Sequence, residues 1–172
     1  RMESGSVAVK REPVELSALI ERQLALDAPL LEQRNQRLVK DLTPGIVVIG
    51  DASLLGRVAG NLLSNASLYS PEGAEVRVWC GLLDGRPALT VENTEAHISE
   101  KALPHLFEAF YREETSRNRA TGGSGLGLYL VKMILARHGA ECTIENTEDG
   151  VRAAVRFETD AVSGLAAGNM IG

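Results

Sequence analysis

The sequence is poor in aromatic residues, cysteine and histidine, and no apolar run in it approaches the roughly 18 residues of a membrane span. Aromatic side chains make up 4% of the chain, so Tyr69, Trp79, Phe107, Phe110, Tyr111, Tyr129 and Phe157 each merit placing. Two cysteines, Cys80 and Cys142, fall at inward-facing parity in strand-like segments and read as reduced core thiols, not as a disulfide framework. The N-terminus has no signal-peptide pattern. Basic residues are scattered, and the net charge of -5 argues against a nucleic-acid surface. No Gly-Lys-Ser/Thr follows any glycine run, which excludes a Walker-type phosphate loop. What is present, 44% hydrophobic and 24% charged residues over 172 positions, has the balance and length of one globular domain.

The stretch Thr121-Gly122-Gly123-Ser124-Gly125-Leu126-Gly127-Leu128 stands out, because it crowds glycine immediately before an apolar run that ends in Arg137, His138 and Gly139. Glycine leaves the backbone free to adopt positive φ and lets a ligand approach main-chain N–H groups without interference from Cβ. The run that follows predicts about three turns of helix with Gly139 as its stop. Glycines at a helix start meet orphan N–H groups and the positive end of the helix dipole, which together favour an anion such as phosphate. The same composition also serves as a hinge, so this stretch by itself leaves both readings open.

Taken in order, residues 1–11 show no period and read as a linker. Leu16, Leu19, Ile20 and Leu24 predict a first helix within Pro13 to Arg34, with Pro29 as a kink or early exit. Arg37 to Leu42 and Ile46 to Ile49 read as short strands around Thr43-Pro44-Gly45. Asp51 is the candidate N-cap of a second helix, whose Leu55, Val58, Leu62 and Ala66 share an arc of roughly 120° facing the core. Asn61, Asn65 and Tyr69 recur at every fourth position along the edge of that arc. Asparagine is a poor helix former, and two of them on a near-core row suggest a functional edge over a structural one.

Glu75 to Leu83 alternates with Val76, Val78, Cys80 and Leu82 inward, Asp84-Gly85 signals a hairpin, and Pro87 to Asn93 returns with Leu89, Val91 and Asn93 inward. Asn93 therefore closes a core row, either as a satisfied structural amide or as a reader of something in a pocket. Ser99 is a candidate cap for a short helix through Leu106. Residues 113–121 have the composition of a lid over a site. Glu141 to Asn146 and Val151 to Phe157 form a last hairpin, and residues 161–172 read as a flexible tail. About three helices and five to six strands, without strict βαβ alternation, predict an α+β fold: a two-layer α/β sandwich with the helices on one face of a mixed sheet.

In their order, Asn61-Leu62-Leu63-Ser64-Asn65-Ala66, Leu106-Phe107-Glu108-Ala109-Phe110-Tyr111-Arg112 and Gly123-Ser124-Gly125-Leu126-Gly127-Leu128 resemble the asparagine, phenylalanine and second glycine boxes of a known family. That family is the catalytic ATP-binding domain of bacterial two-component sensor histidine kinases. The later half is particularly similar to sensors of the vancomycin-resistance type. The resemblance implies a Bergerat ATP-binding fold over residues 13–158, with 1–12 a linker from an upstream dimerisation domain and 159–172 a tail. It implies ATP and Mg²⁺ as cofactors, with Asn65 giving an oxygen to the metal. Asn61 is then placed at the phosphates as a catalytic positioning group, and Tyr69, Asn93, Ile98 and Phe107 around the nucleoside. Gly123, Ser124, Gly125, Leu126, Gly127 and Leu128 close over the phosphates, with Arg112 a further candidate there. The implied partners are the upstream dimerisation and histidine-phosphotransfer domain and a downstream response regulator. The fragment itself is expected to be a monomer, and the full-length protein a membrane-bound homodimer with this domain in the cytoplasm.

Three departures from the family pattern matter. Asn93-Thr94-Glu95-Ala96-His97 stands where the family has Asp-x-Gly-x-Gly, so an amide replaces the carboxylate that accepts from the adenine amine, and both glycines are gone. An amide oxygen still accepts, at an expected loss of about tenfold in affinity, and a loop that needed positive φ is strained, so the chain is expected to take another path. Leu68 stands where many relatives have a phosphate-binding lysine. Finally, no His-Glu/Asp-x-x-x-Pro acceptor segment occurs. His105 and His138 read as structural, which puts the acceptor histidine on a separate domain. A module of this fold that has lost nucleotide and serves in protein interaction is the alternative.

Overall fold

Two sheets and three helices account for residues 8–111 and 126–158, the part of the chain that the computed structural model describes. In chain order these are β1 (Glu12–Glu15), α1 (Leu16–Gln33), β2 (Arg37–Leu42), β3 (Val47–Gly50), α2 (Ala52–Leu68), β4 (Glu75–Leu83), β5 (Arg86–Thr94), a single 3-10 turn at Leu103–His105, α3 (Gly127–Ala136), β6 (Ala140–Asn146) and β7 (Gly150–Phe157). The main sheet is mixed, in the order β2-β4-β5-β7-β6, with β2 parallel to β4 and every other pair antiparallel. β1 and β3 form a small antiparallel sheet of their own.

Period-2 alternation sends Val76, Val78 and Cys80 of β4, Leu89 and Val91 of β5, and Val155 and Phe157 of β7 to the helix side. There they join Leu19 and Ile20 of α1, Leu55, Val58 and Leu62 of α2, and Val131 and Leu135 of α3 in one core cluster. Removing a leucine such as Leu62, 2% exposed, from water contributes about 1.5–3 kcal/mol. The other face of the sheet carries a run of ion pairs across all five strands, from Arg37 through Glu75, Arg77, Glu92 and Arg152 to Glu145. The Arg77 guanidinium, and after it that of Arg37, holds the Glu75 carboxyl below the usual carboxylate range.

The hairpin read at Asp84-Gly85 closes with both residues at positive φ, 54° and 80°, the requirement of the type I′ turn. Asp51 caps α2 by accepting from the Leu54 N–H at 3.1 Å. Other expectations are corrected. Residues 12–15 are a strand where the periodicity suggests helix from Pro13, because they pair with β3. The first helix does not exit at Pro29 but runs on to Gln33. The two short strands around Thr43-Pro44-Gly45 are both present, at Arg37–Leu42 and Val47–Gly50, and lie in different sheets. Leu82, read as inward, is 47% exposed, next to the Asp84-Gly85 turn at the end of β4. Ser99 does accept from the Ala102 N–H at 3.1 Å, yet it starts only the 3-10 turn, because Pro104 offers no N–H to extend it. Cys80 is fully buried and Cys142 half-buried, both as free thiols, and burial pushes them up to about 11 and about 12.

Candidate functional site

α2 and α3 lie antiparallel and are tied together at two levels. The N–H of Asp51, at the start of α2, donates to His138 Nε2 at 3.0 Å, just beyond the end of α3. Because Nε2 accepts there, the ring proton sits on Nδ1 and is donated to the Ile134 carbonyl at 2.9 Å. Ten residues along α2, Asn61 Nδ2 donates to the carbonyl of Gly127, the first residue of α3, at 3.1 Å. At about 1.5 Å of rise per residue the two ties are roughly 15 Å apart along α2 and 16 Å along α3, so the helices match in length between them. Ring and amide together fix where α3 begins.

Among the described residues no side chain caps that beginning: Leu126, in the N-cap position, makes no side-chain hydrogen bond to the N–H groups of the first turn, at Gly127, Leu128 and Tyr129. An added Cβ on Gly127 would meet nothing within 4 Å, and its φ is not positive. Neither backbone conformation nor packing within the described protein therefore explains why this residue is glycine, whereas an anion approaching those N–H groups would. Asn65 lies one turn beyond Asn61, about 6 Å past the start of α3. Among the described residues its side-chain amide has no hydrogen-bond partner, and Tyr69, 43% exposed, follows at the end of α2.

Asn93 ends the inward row of β5 with 6% of its surface exposed, and no described residue hydrogen-bonds to its side-chain amide. The β6–β7 hairpin grips the chain around it at three points. An added Cβ on Gly150 would lie 1.9 Å from the Asn93 carbonyl oxygen, so only glycine permits that approach. The Glu95 N–H donates to the Asp149 carbonyl at 2.8 Å. The Asn146 amide pairs with both main-chain groups of Ile98, accepting from its N–H at 2.9 Å and donating to its carbonyl at 2.8 Å. The sequence implies a new path for this loop because its glycines are missing, yet Glu95 keeps a left-handed conformation at φ 59°. His97 does not. The hairpin contacts hold Glu95 in a geometry that costs a non-glycine residue about 1–2 kcal/mol.

The structure thus brings Asn61 together with Gly127, and sets Asn65 and Tyr69 further along the same helix, with Leu126 and Leu128 at the start of α3. Asn93, Ile98 and the half-buried Phe107 follow in order from the end of β5. Arg112, Gly123, Ser124 and Gly125 lie outside the described residues. Asn146 and His138 were not singled out for the site from sequence. An amide closing a strand and a histidine closing a helix carry no local signal of partners some fifty or more residues away. A polar groove of about 520 Å³ between α1 and α2, lined by Gln23, Asp27, Arg57 and Ser64 among others, shares Asn61 but not Asn65, Tyr69 or Asn93. The α2–α3 side differs from that groove in holding a helix start with no cap among the described residues and, at Asn65, an amide with no described partner. No cluster of three or more histidine, cysteine or acidic side chains among the described residues could hold a metal alone. A hard cation here would depend on an amide oxygen, for which Asn65 is available, together with oxygens of a ligand; Mg²⁺ ordinarily takes only one or two protein oxygens, most often carboxylate, beside substrate phosphates and waters.

Residues 50–162 match the family model described as histidine kinase-, DNA gyrase B-, and HSP90-like ATPase. Sensor protein VanSB of Enterococcus faecalis is 35% identical over 150 residues, which cover 87% of this chain and 34% of that protein. Among solved structures, the mycobacterial sensor histidine kinase MprB superposes with a TM-score of 0.74 at 28% identity, covering 88% of this chain and 97% of that one. Histidine kinase ThkA, solved in complex with the response regulator protein TrrA, shares the fold at a TM-score of 0.72 and 19% identity, over 86% of this chain and 41% of that one. The chain spans about a third or less of the length of the curated relatives it matches.

Proposed function

Since the chain belongs to the histidine kinase-, DNA gyrase B- and HSP90-like ATPase family, we propose that it is the catalytic ATP-binding domain of a two-component sensor histidine kinase, which binds Mg-ATP and passes the γ-phosphoryl group to a histidine on a separate dimerisation domain. The observation that carries this reading is the Asn61–Gly127 hydrogen bond, which couples the amide row of α2 to the N-terminus of α3, where no described side chain forms a cap. Phosphoryl transfer asks a protein mainly for positioning and charge neutralisation, and little acid–base chemistry. The residues fit that demand. The first-turn N–H groups of α3 face the phosphates, Asn61 holds that turn in place, and Tyr69, Ile98 and Phe107 pack about the nucleoside. Asn65 offers its amide oxygen to Mg²⁺, which when bound supplies charge neutralisation at the phosphates.

Transfer is favoured over hydrolysis by chemistry at Asn61, because an amide cannot take a proton from an attacking water as a carboxylate does. We take the acceptor to lie outside this domain, because no His-Glu/Asp-x-x-x-Pro segment surrounds His97, His105 or His138, and both ring nitrogens of His138 are engaged. We assign it to a dimerisation domain elsewhere in a longer, homodimeric membrane sensor, with this domain in the cytoplasm and a response regulator downstream. The reading on partners is supported by the ThkA–TrrA complex and by the greater length of the relatives.

The test is phosphotransfer in trans. Mixed with γ-labelled ATP, Mg²⁺ and the dimerisation domain of the full-length protein, this chain is expected to label that domain on an acid-labile phosphohistidine, and Asn65→Ala to remove the labelling. Saturable nucleotide binding without labelling would reject the kinase reading. Absence of saturable binding at millimolar nucleotide would favour an interaction module that has lost ATP.

A further inference from the structure

The end of α2 is held by side chains from another element. Its C-cap, Tyr69, has φ -94° and ψ 2°, and Ser70 after it does not take the left-handed conformation by which a helix commonly closes on itself. The last carbonyls are met instead from the turn between α1 and β2. Arg34 donates through Nε to the Ser67 carbonyl at 3.1 Å and through Nη2 to the Ser70 carbonyl at 2.7 Å. Gln36 Nε2 faces the carbonyls of Ser67, Ser70 and Pro71 at 3.0, 3.3 and 3.2 Å, and Gln36 Oε1 accepts from Ser67 Oγ at 2.6 Å. The main chain closes the same joint: the Gly73 N–H donates to the Arg34 carbonyl at 3.1 Å and the Arg37 N–H to the Ala74 carbonyl at 2.9 Å. The turn itself is local, with Asn35 left-handed at φ 52°, its N–H returning to the Glu32 carbonyl and that of Gln36 to the Leu31 carbonyl.

Resting on the nucleotide reading above, we propose that Gln36, with Arg34 beside it, is a positioning residue for nucleotide binding: from outside the site it fixes the end of α2, and so sets where Tyr69 meets the nucleoside. Gln36 is 7% exposed, and an apolar side chain would fill its place without needing partners, so an amide there serves the joint more than the core. Tyr69 lies between the gripped carbonyls of Ser67 and Ser70, yet is itself exposed. A helix end with unserved carbonyls frays over its last turn. Such fraying would carry Tyr69 away and leave Asn61, roughly two turns back and bonded to Gly127, in place. Ser70 Oγ marks the limit of the joint: among the described residues it is the one buried side-chain polar atom with no hydrogen-bond partner, so it adds nothing to the grip.

The experiment is a double-mutant cycle on the whole chain, with Gln36→Met, Tyr69→Ala and the two combined, read as the dissociation constant of a fluorescent ATP analogue with Mg²⁺. Gln36→Met is expected to weaken binding about fivefold to tenfold, and to add less than about twofold once Tyr69 is replaced by alanine. Ser70→Ala is expected to bind as the wild type does. Losses that multiply in the combined variant would overturn the inference, and so would wild-type affinity in a folded Gln36→Met or an equal loss in Ser70→Ala. Should Gln36→Met fail to fold, Arg34→Met takes its place in the cycle, and the same outcomes decide. A Tyr69→Ala that binds normally rejects the inference and leaves the nucleotide reading standing, whereas a wild type that binds no nucleotide removes both.

Discussion

The side-chain amide of Asn61 donates to the main-chain carbonyl of Gly127 across 66 residues of chain, and so joins the middle of α2 to the first residue of α3. Replacing Asn61 by alanine removes that bond. The loss in stability is expected to be modest, about 0.5–1.5 kcal/mol by urea denaturation, because the site is only half-buried and water can serve the Gly127 carbonyl. The loss in nucleotide affinity should be larger in proportion, at tenfold or more (~1.4 kcal/mol), since the start of α3 would no longer be held against α2. Equal, small losses in both would assign Asn61 a structural role.

Gly127→Ala separates packing from ligand approach. An added Cβ meets no protein atom within 4 Å and φ is not positive, so the fold should tolerate it. Alanine is the better helix former by up to about 1 kcal/mol, and thermal unfolding should be unchanged or slightly later. Nucleotide binding should fall all the same, because the methyl group enters the space in front of the first-turn N–H groups. Unimpaired binding would place the phosphates elsewhere.

Gly150→Ala reverses that pattern. Its Cβ would lie 1.9 Å from the Asn93 carbonyl oxygen, a backbone atom in a paired strand that cannot swing aside. We expect destabilisation of about 3 kcal/mol or more by denaturant titration. Gly85→Ala provides the comparison, being strained by its φ of 80° but unobstructed.

Asp51 gives the domain a dependence on acid. Its carboxyl is held below the usual aspartate range, chiefly by the Lys10 N–H, with burial acting in the opposite direction and the Leu54 N–H assisting. A carboxyl depressed in the folded state contributes stability that is present above its unfolded pKa and lost as pH falls through the folded one. Asp51→Asn keeps a side chain well suited to the N-cap position but does not ionise, so its stability should vary less with pH below about 4 than that of the wild type. Parallel acid slopes for the two proteins would show that other carboxylates dominate.

The elements legible in the sequence are those whose signal is local. The arc of Leu55, Val58, Leu62 and Ala66 gave α2, the pair Asp84-Gly85 gave the β4–β5 turn, and the spacing of Asn61 and Asn65 marked the edge of the site. What escaped depends on distant partners. β1 is four residues long and is a strand only because β3 lies beside it, thirty-odd residues away. Pro29 looks like a helix end, yet it is exposed and α1 carries on to Gln33. The loss of glycine after Asn93 was visible, but not the grip of Asn146, Asp149 and Gly150 that keeps Glu95 left-handed.

The central claim is that the α2 amides and the start of α3 serve one ligand, and a nuclear magnetic resonance titration with Mg²⁺ and a non-hydrolysable ATP analogue tests it most directly. The account predicts that the backbone amides of Gly127 and Leu128 and the side-chain amides of Asn61, Asn65 and Asn93 all shift, saturably and with a single dissociation constant. If the α3 amides stay still while the asparagines respond, or if the two sets saturate at different concentrations, the two halves of the site do not hold the same nucleotide.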